Sequence, residues 1–358
     1  MPELDFHRNP YSMEQAEKDR FLTEQIRPLT RYHAAHCQAY ANMLAALHFN
    51  PDAACHYSEF PFLPVGLFKR MKLSSLDAEQ KDYKTVTSSG TSGKRSQIIL
   101  DARTRTLQQK ALAAIGGSFL GSRRLPMLVI DCPSAVVRRN YISARASGIA
   151  GFSLFGRHRT FALTDEMKPD FEGIRTFLNQ YGSQPFLVFG FTFLVWQTLC
   201  LDLEKEGMHP DFSHGILIHG GGWKKLQSMA VSAEEFKRRL KETCGLEHIY
   251  NYYGMAEQTG SIFMECEYGH LHCSDYSGIL FRRSRDFSLC SCGEKGVIQV
   301  LSVLPWSYPG HSLLTEDEGM LLGVDDCPCG RKGAYFKVEG RLKNAELKGC
   351  SDTDAASR

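Results

Sequence analysis

Apolar positions along this chain recur in short continuous runs separated by mixed stretches. Leu125–Ile130, Phe186–Phe189 and Gly215–His219 are such runs, and each reads as a buried strand. His248–Tyr253 returns to strand after a segment in which Ser232 and Glu235 form a capping box, which predicts a helix through Cys244. Residues 12–48, rich in Glu, Gln, Ala, Leu and Arg, read as helical with Pro28 marking a break. Residues 57–76, with Phe60, Pro61, Phe62 and Pro64, read as an ordered loop. Lys84–Thr87 and Gln97–Leu100 read as strands around a small-residue loop, and 102–121 as a helix. From 261 onward the strands shorten: Ser261–Met264, Gly278–Phe281, Val297–Val303 and Met320–Val324. Strands alternating with helices, then a β-rich end, predict a large α/β domain over 1–335 with a smaller β subdomain at about 261–335. Residues 336–358 form a short C-terminal segment, frayed after Thr353.

Composition narrows the classes. The 358 residues are 43% hydrophobic and 23% charged, enough for a sizeable core. Lys and Arg number 42 against 40 acids, a net charge of +2, so no nucleic-acid or membrane-surface partner is implied. The apolar stretch Phe186–Trp196 is too short to span a membrane and is broken by Gly190 and Thr192. The start of the chain has no apolar leader, so a cytoplasmic location is expected. The 12 cysteines then favour metal binding or thiol chemistry over disulfides.

Thr87-Ser-Ser-Gly-Thr-Ser-Gly-Lys94 is the first chemical signal. Small residues let backbone N–H groups converge on phosphate oxygens, and Lys94 adds charge. The Walker A spacing fails, because Ser88 stands where a glycine is required and Arg95 follows the lysine. A polar surface turn is the competing reading. Two Cys-x-Cys-Gly turns, Cys290/Cys292 and Cys327/Cys329, offer four thiolates for a structural Zn²⁺. An alternative set joins Cys266 and His272 to Cys327 and Cys329, with His270 and Cys273 also nearby in sequence. Plain reduced cysteines in β-turns remain the other option.

TSSGTSGK resembles the phosphate loop of the adenylate-forming superfamily. Asn251-Tyr-Tyr-Gly-Met-Ala-Glu257 resembles its Tyr-Gly-x-x-Glu motif, Leu314-Thr-Glu-Asp317 its Thr-Gly-Asp segment with Glu316 in place of glycine, and Gly340-Arg341 its hinge. His219-Gly-Gly-Gly-Trp-Lys224, Tyr308-Pro-Gly310 and the run from Gly340 to Thr353 resemble, more narrowly, the acyl-protein synthetase (LuxE-like) family. The resemblance implies that superfamily's N-terminal α/β domain with a β-rich subdomain, without the large mobile C-terminal domain. It implies an ATP- and Mg²⁺-dependent ligase that activates a carboxylic, fatty acid as acyl-AMP. On this reading Ser88, Ser89, Gly90, Thr91, Ser92, Gly93 and Lys94 hold phosphates. Gly220, Gly221, Gly222, Tyr253 and Gly254 receive adenine, Glu257 takes Mg²⁺, and Asp317 and Arg341 meet the ribose. The family's acylated cysteine matches Cys350, which would form a thioester and pass the acyl group to an acyl reductase-like partner. A ligase using a diffusible thiol such as CoA or a carrier protein, and an inactive nucleotide-binding subunit, are the alternatives.

Overall fold

The computed structural model describes residues 4–77, 79–88, 95–136 and 142–342. They divide into two compact units: 116–253 forms one, and the described residues up to 115 together with those from 254 onward form the other.

Residues 116–253 build a parallel sheet. Its strands in chain order are Leu125–Ile130, Gly156–Phe161, Phe186–Phe191, Gly215–Gly220 and His248–Tyr253. In space they lie second, first, third, fourth, fifth, all parallel. This is a doubly wound order, which places loops for ligands at the carboxyl ends of the strands. Phe186–Phe191 is buried at every residue, as a strand covered on both faces must be. Helices Phe171–Tyr181 and Ala233–Cys244 present Ile174, Phe177, Phe236 and Leu240 to the same core as Leu128, Val188 and Leu217. Ser232 caps the second helix by accepting the Glu235 N–H at 3.2 Å. The reciprocal half of the capping box is replaced: the Glu235 carboxylate binds the Arg238 guanidinium at 2.6 Å.

The other unit is largely antiparallel. Ser277–Arg282, Lys295–Ser302, Ser312–Val324, Ala334–Arg341, Leu271–His272 and Phe263–Glu265 follow one another across its sheet. Leu63–Pro64 pairs in parallel with Leu313 and Leu314, so the chain start is woven into the strand that carries the Thr-Glu-Asp motif. The strand containing that motif is longer than the sequence pattern suggested, and Ala334–Arg341 adds a strand that the pattern missed. Pro28 does not break its helix: Gln15–His36 runs through it and ends at the extended Cys37. Leu22, Ile26, Leu29 and Thr30 bury one face around the proline. Tertiary packing there outweighs the missing N–H.

Candidate functional site

Each unit carries some of the residues named from the sequence. In the parallel unit, Gly220 ends its strand and pairs with Tyr252. A Cβ on Gly220 would lie 2.6 Å from the Tyr252 ring, so only glycine fits there. Gly221 follows with φ +79°, turning the chain across the strand end. Tyr253 closes the neighbouring strand, half-buried. Beneath the loop, His219 is buried with Nδ1 3.0 Å from Thr192 Oγ1.

In the antiparallel unit, strands Tyr83–Thr87 and Gln97–Asp101 form a hairpin. It is extended by Ser88 N–H to Ser96 O at 3.3 Å and Ser96 N–H to Ser88 Oγ at 3.1 Å. The segment from Ser88 to Lys94 therefore joins two strands in sequence, as expected. Ser89, Gly90, Thr91, Ser92, Gly93 and Lys94 lie outside the described residues, as does Cys350.

Gly254 opens the turn leading to Glu257, which sits in Ala256–Gln258 and is 5% exposed. Burial pushes the Glu257 carboxyl above the ordinary carboxylate range, countered in part by Ser96 and less by its own backbone N–H and the Lys69 charge. A carboxylate is a hard oxygen ligand, so Glu257 suits an Mg²⁺ ion. Its backbone oxygen accepts the Tyr308 hydroxyl at 2.9 Å. Tyr308 belongs to the Tyr-Pro-Gly segment, which supports the turn from beneath. Asp317 and Arg341 are cross-strand partners, with Nε to Oδ1 3.5 Å. Glu316 faces Lys69 at 3.5 Å and Arg341 at 4.0 Å. Lys69 carried no sequence signal of its own.

Among the described residues, three cysteines and a histidine gather in one group that could hold a metal ion. Ligand atoms of Cys266, His272, Cys327 and Cys329 all lie within 4.8 Å of one another. Cys266 and Cys327 sulfurs are 3.9 Å apart, and His272 Nε2 is 3.3 Å from Cys329 Sγ. Tetrahedral zinc with bonds of about 2.3 Å to sulfur sets S···S edges at roughly 3.8 Å. The Cys266–Cys327 separation matches such an edge, and the whole group lies close enough to close around one ion. The set built on Cys290 and Cys292 is not the one gathered. Their thiols instead point to the carbonyls of Lys295, at 3.7 Å, and Leu321, at 3.5 Å. Strand register decides this: His272 pairs with Tyr335, just beyond the Cys327–Cys329 turn, and the short hairpin Met264–His272 delivers Cys266. Arg331 bonds to Cys329 and, against the effect of burial, holds its thiol below the ordinary value. His270 Nδ1 lies 3.3 Å from Cys327 Sγ and stacks on Tyr335. Cys273 is buried beside this group, where Lys18 donates to its carbonyl at 2.9 Å.

The fold is that of adenylate-forming enzymes. It matches an open conformation of 2-hydroxyisobutyryl-CoA ligase at TM-score 0.71 with 17% identity, covering 96% of this chain and 81% of that one. The thioesterification state of the same ligase matches at TM-score 0.72 with 16% identity, covering 96% and 74%. The chain belongs to the family described as acyl-protein synthetase, LuxE, whose profile matches residues 1–356. It is thus a member of a family of ligases. Similar curated proteins are the long-chain-fatty-acid–luciferin-component ligases of Vibrio harveyi and Aliivibrio fischeri. The first is 22% identical, covering 98% of this chain and 91% of its own. The second is 24% identical, covering 98% and 92%. Among the described residues no helix is long and apolar enough to cross a membrane.

Proposed function

We propose that this chain activates a long-chain fatty acid as acyl-AMP and then carries the acyl group on Cys350 to a protein partner of acyl reductase type. The observation that carries this reading is the grouping of Glu257, Asp317 and Arg341 in one unit of a chain that belongs to the acyl-protein synthetases. A carboxylate oxygen of the acid attacks the α-phosphorus of ATP, the bond to the β-phosphate oxygen breaks, and pyrophosphate leaves. Two anions must meet for this step, so cationic groups and backbone donors have to face the phosphates. Ser88–Lys94 supply donors and charge, and Asp317 accepts ribose hydroxyls while Arg341 orients it. Mg²⁺, held by Glu257, would neutralise phosphate charge. The Cys350 thiolate then attacks the acyl carbonyl carbon, AMP leaves with the bonding pair, and a thioester remains. Lys348 beside it favours the thiolate. A Zn²⁺ held by Cys266, His272, Cys327 and Cys329 would pin the β-rich unit and take no part in this chemistry.

The test is intact mass of the protein after incubation with ATP, Mg²⁺ and a panel of fatty acids, beside Cys350→Ser. A gain of one acyl group, removed by neutral hydroxylamine and absent in the variant, is expected. Steady pyrophosphate release with no mass gain would instead assign the acyl group to a diffusible thiol.

A further inference from the structure

Lys69 ends the short turn Val65–Lys69, and three contacts set where it lies. Leu63 and Pro64 pair with Leu313 and Leu314, directly before Thr315-Glu316-Asp317. This register lays the turn on Glu316: a Cβ added to Gly66 would sit 3.6 Å from Glu316 Oε1. Phe68, buried, meets the Tyr308 ring edge-on at 6.0 Å. Tyr308 in turn donates to the Glu257 carbonyl. The turn is therefore anchored beside both acids, and Lys69 pairs with Glu316. Its Nζ is 3.5 Å from Glu316 Oε1, and its charge acts on the Glu257 carboxylate.

The side chain of Lys69 is only 16% exposed. Placing an ammonium there costs solvation, and an ion pair with a partly solvated carboxylate returns little. Stability alone gives no reason for the arrangement. Glu316 also faces Arg341, which is paired with Asp317. Glu316 and Asp317 thus share Lys69 and Arg341, and the Lys69 charge also bears on the buried Glu257. A triphosphate approaching Glu257 needs a cation that can leave its present partner.

We infer that Lys69 is a phosphate-facing cation of the nucleotide site, held by Glu316 until a nucleoside triphosphate takes it over. This rests on the adenylate-forming reading above. It assigns Glu316 a role as well: the carboxylate that stands in the place of the motif's glycine is the holding partner of Lys69.

The experiment measures MgATP binding by calorimetry and ATP–pyrophosphate exchange with a fatty acid. It uses the full chain as wild type, Lys69→Met, Lys69→Arg and Glu316→Gln, each with its melting temperature. Lys69→Met is expected to weaken MgATP binding about tenfold or more, the worth of one charge-assisted contact, with Lys69→Arg recovering most of the loss. Glu316→Gln releases the lysine and is expected to tighten MgATP binding, a gain that misfolding cannot produce. MgATP affinity unchanged in Lys69→Met, or weakened in Glu316→Gln, overturns the inference. Wild type that binds MgATP but exchanges no pyrophosphate sinks the proposed reaction, and the binding arm still decides Lys69.

Discussion

Cys327 and Cys329 belong to both metal sets read from the sequence, and spacing alone did not choose between Cys290 with Cys292 and Cys266 with His272 as the other half. Two Cys-x-Cys-Gly turns look like natural halves of one site, yet the second half comes from Cys266 and His272. Cys266→Ser is expected to remove bound zinc, about one ion per chain by elemental analysis. Cys290→Ser is expected to leave the zinc content unchanged. The reverse pattern would restore the two-turn set. Glu257, Asp317 and Arg341 were named only through the ordered set of motifs in which each stands, since each alone reads as an ordinary charge. Lys69 was not legible: its partner Glu316 is 247 positions away in sequence, and no local pattern connects them.

At the scale of elements, buried parallel strands announced themselves as unbroken apolar runs, since both faces are covered. Strands with one face in solvent, and those as short as Leu271–His272, gave weaker patterns. The helix Ala233–Cys244 was legible through its cap. Ser232→Ala is expected to cost about 1 kcal/mol and lower the denaturation midpoint, because the Glu235 N–H loses its acceptor. Glu235→Ala should change the midpoint less, since its carboxylate bonds Arg238 on the exposed face and does not complete the box. Equal losses from both variants would restore the reciprocal capping box. Pro28 shows the limit of propensity: a helix with Leu22, Ile26 and Leu29 in the core continues through a residue that would end an isolated one.

For the whole molecule, acid stability follows from buried histidines. His33 and His311 stack at 5.0 Å inside the antiparallel unit. His33 bonds Ser75 at 2.7 Å and the Pro305 carbonyl at 3.1 Å, and His311 Nε2 lies 3.0 Å from Thr30 and 3.2 Å from Tyr40. Burial holds His33 well below its ordinary value and His311 at about 3. Both stay neutral when folded, whereas the unfolded chain protonates them from about pH 6.5 downward. The unfolded state then binds more protons, so stability falls as pH drops through this window, by at most about 1.4 kcal/mol per pH unit for each histidine. Burial of Glu257 acts in the opposite direction, favouring the folded form at low pH. Urea denaturation of wild type and His311→Asn between pH 7 and 5 separates the two. The variant is expected to show the shallower pH slope whatever its absolute stability, and equal slopes would remove His311 from the account. The sequence by itself determined the buried strands, the capped helix and the strands Tyr83–Thr87 and Gln97–Asp101 on either side of the small-residue segment. Each of these depends on neighbours within a few positions. Tertiary structure alone decided the metal set, the helix through Pro28 and the placement of Lys69 at Glu316 and Glu257. The helix depends on the packing of its buried face, whereas the metal set joins segments 57 and 61 positions apart and Lys69 meets Glu316 across 247, both through strand register, where a shift of one position would turn every side chain to the other face.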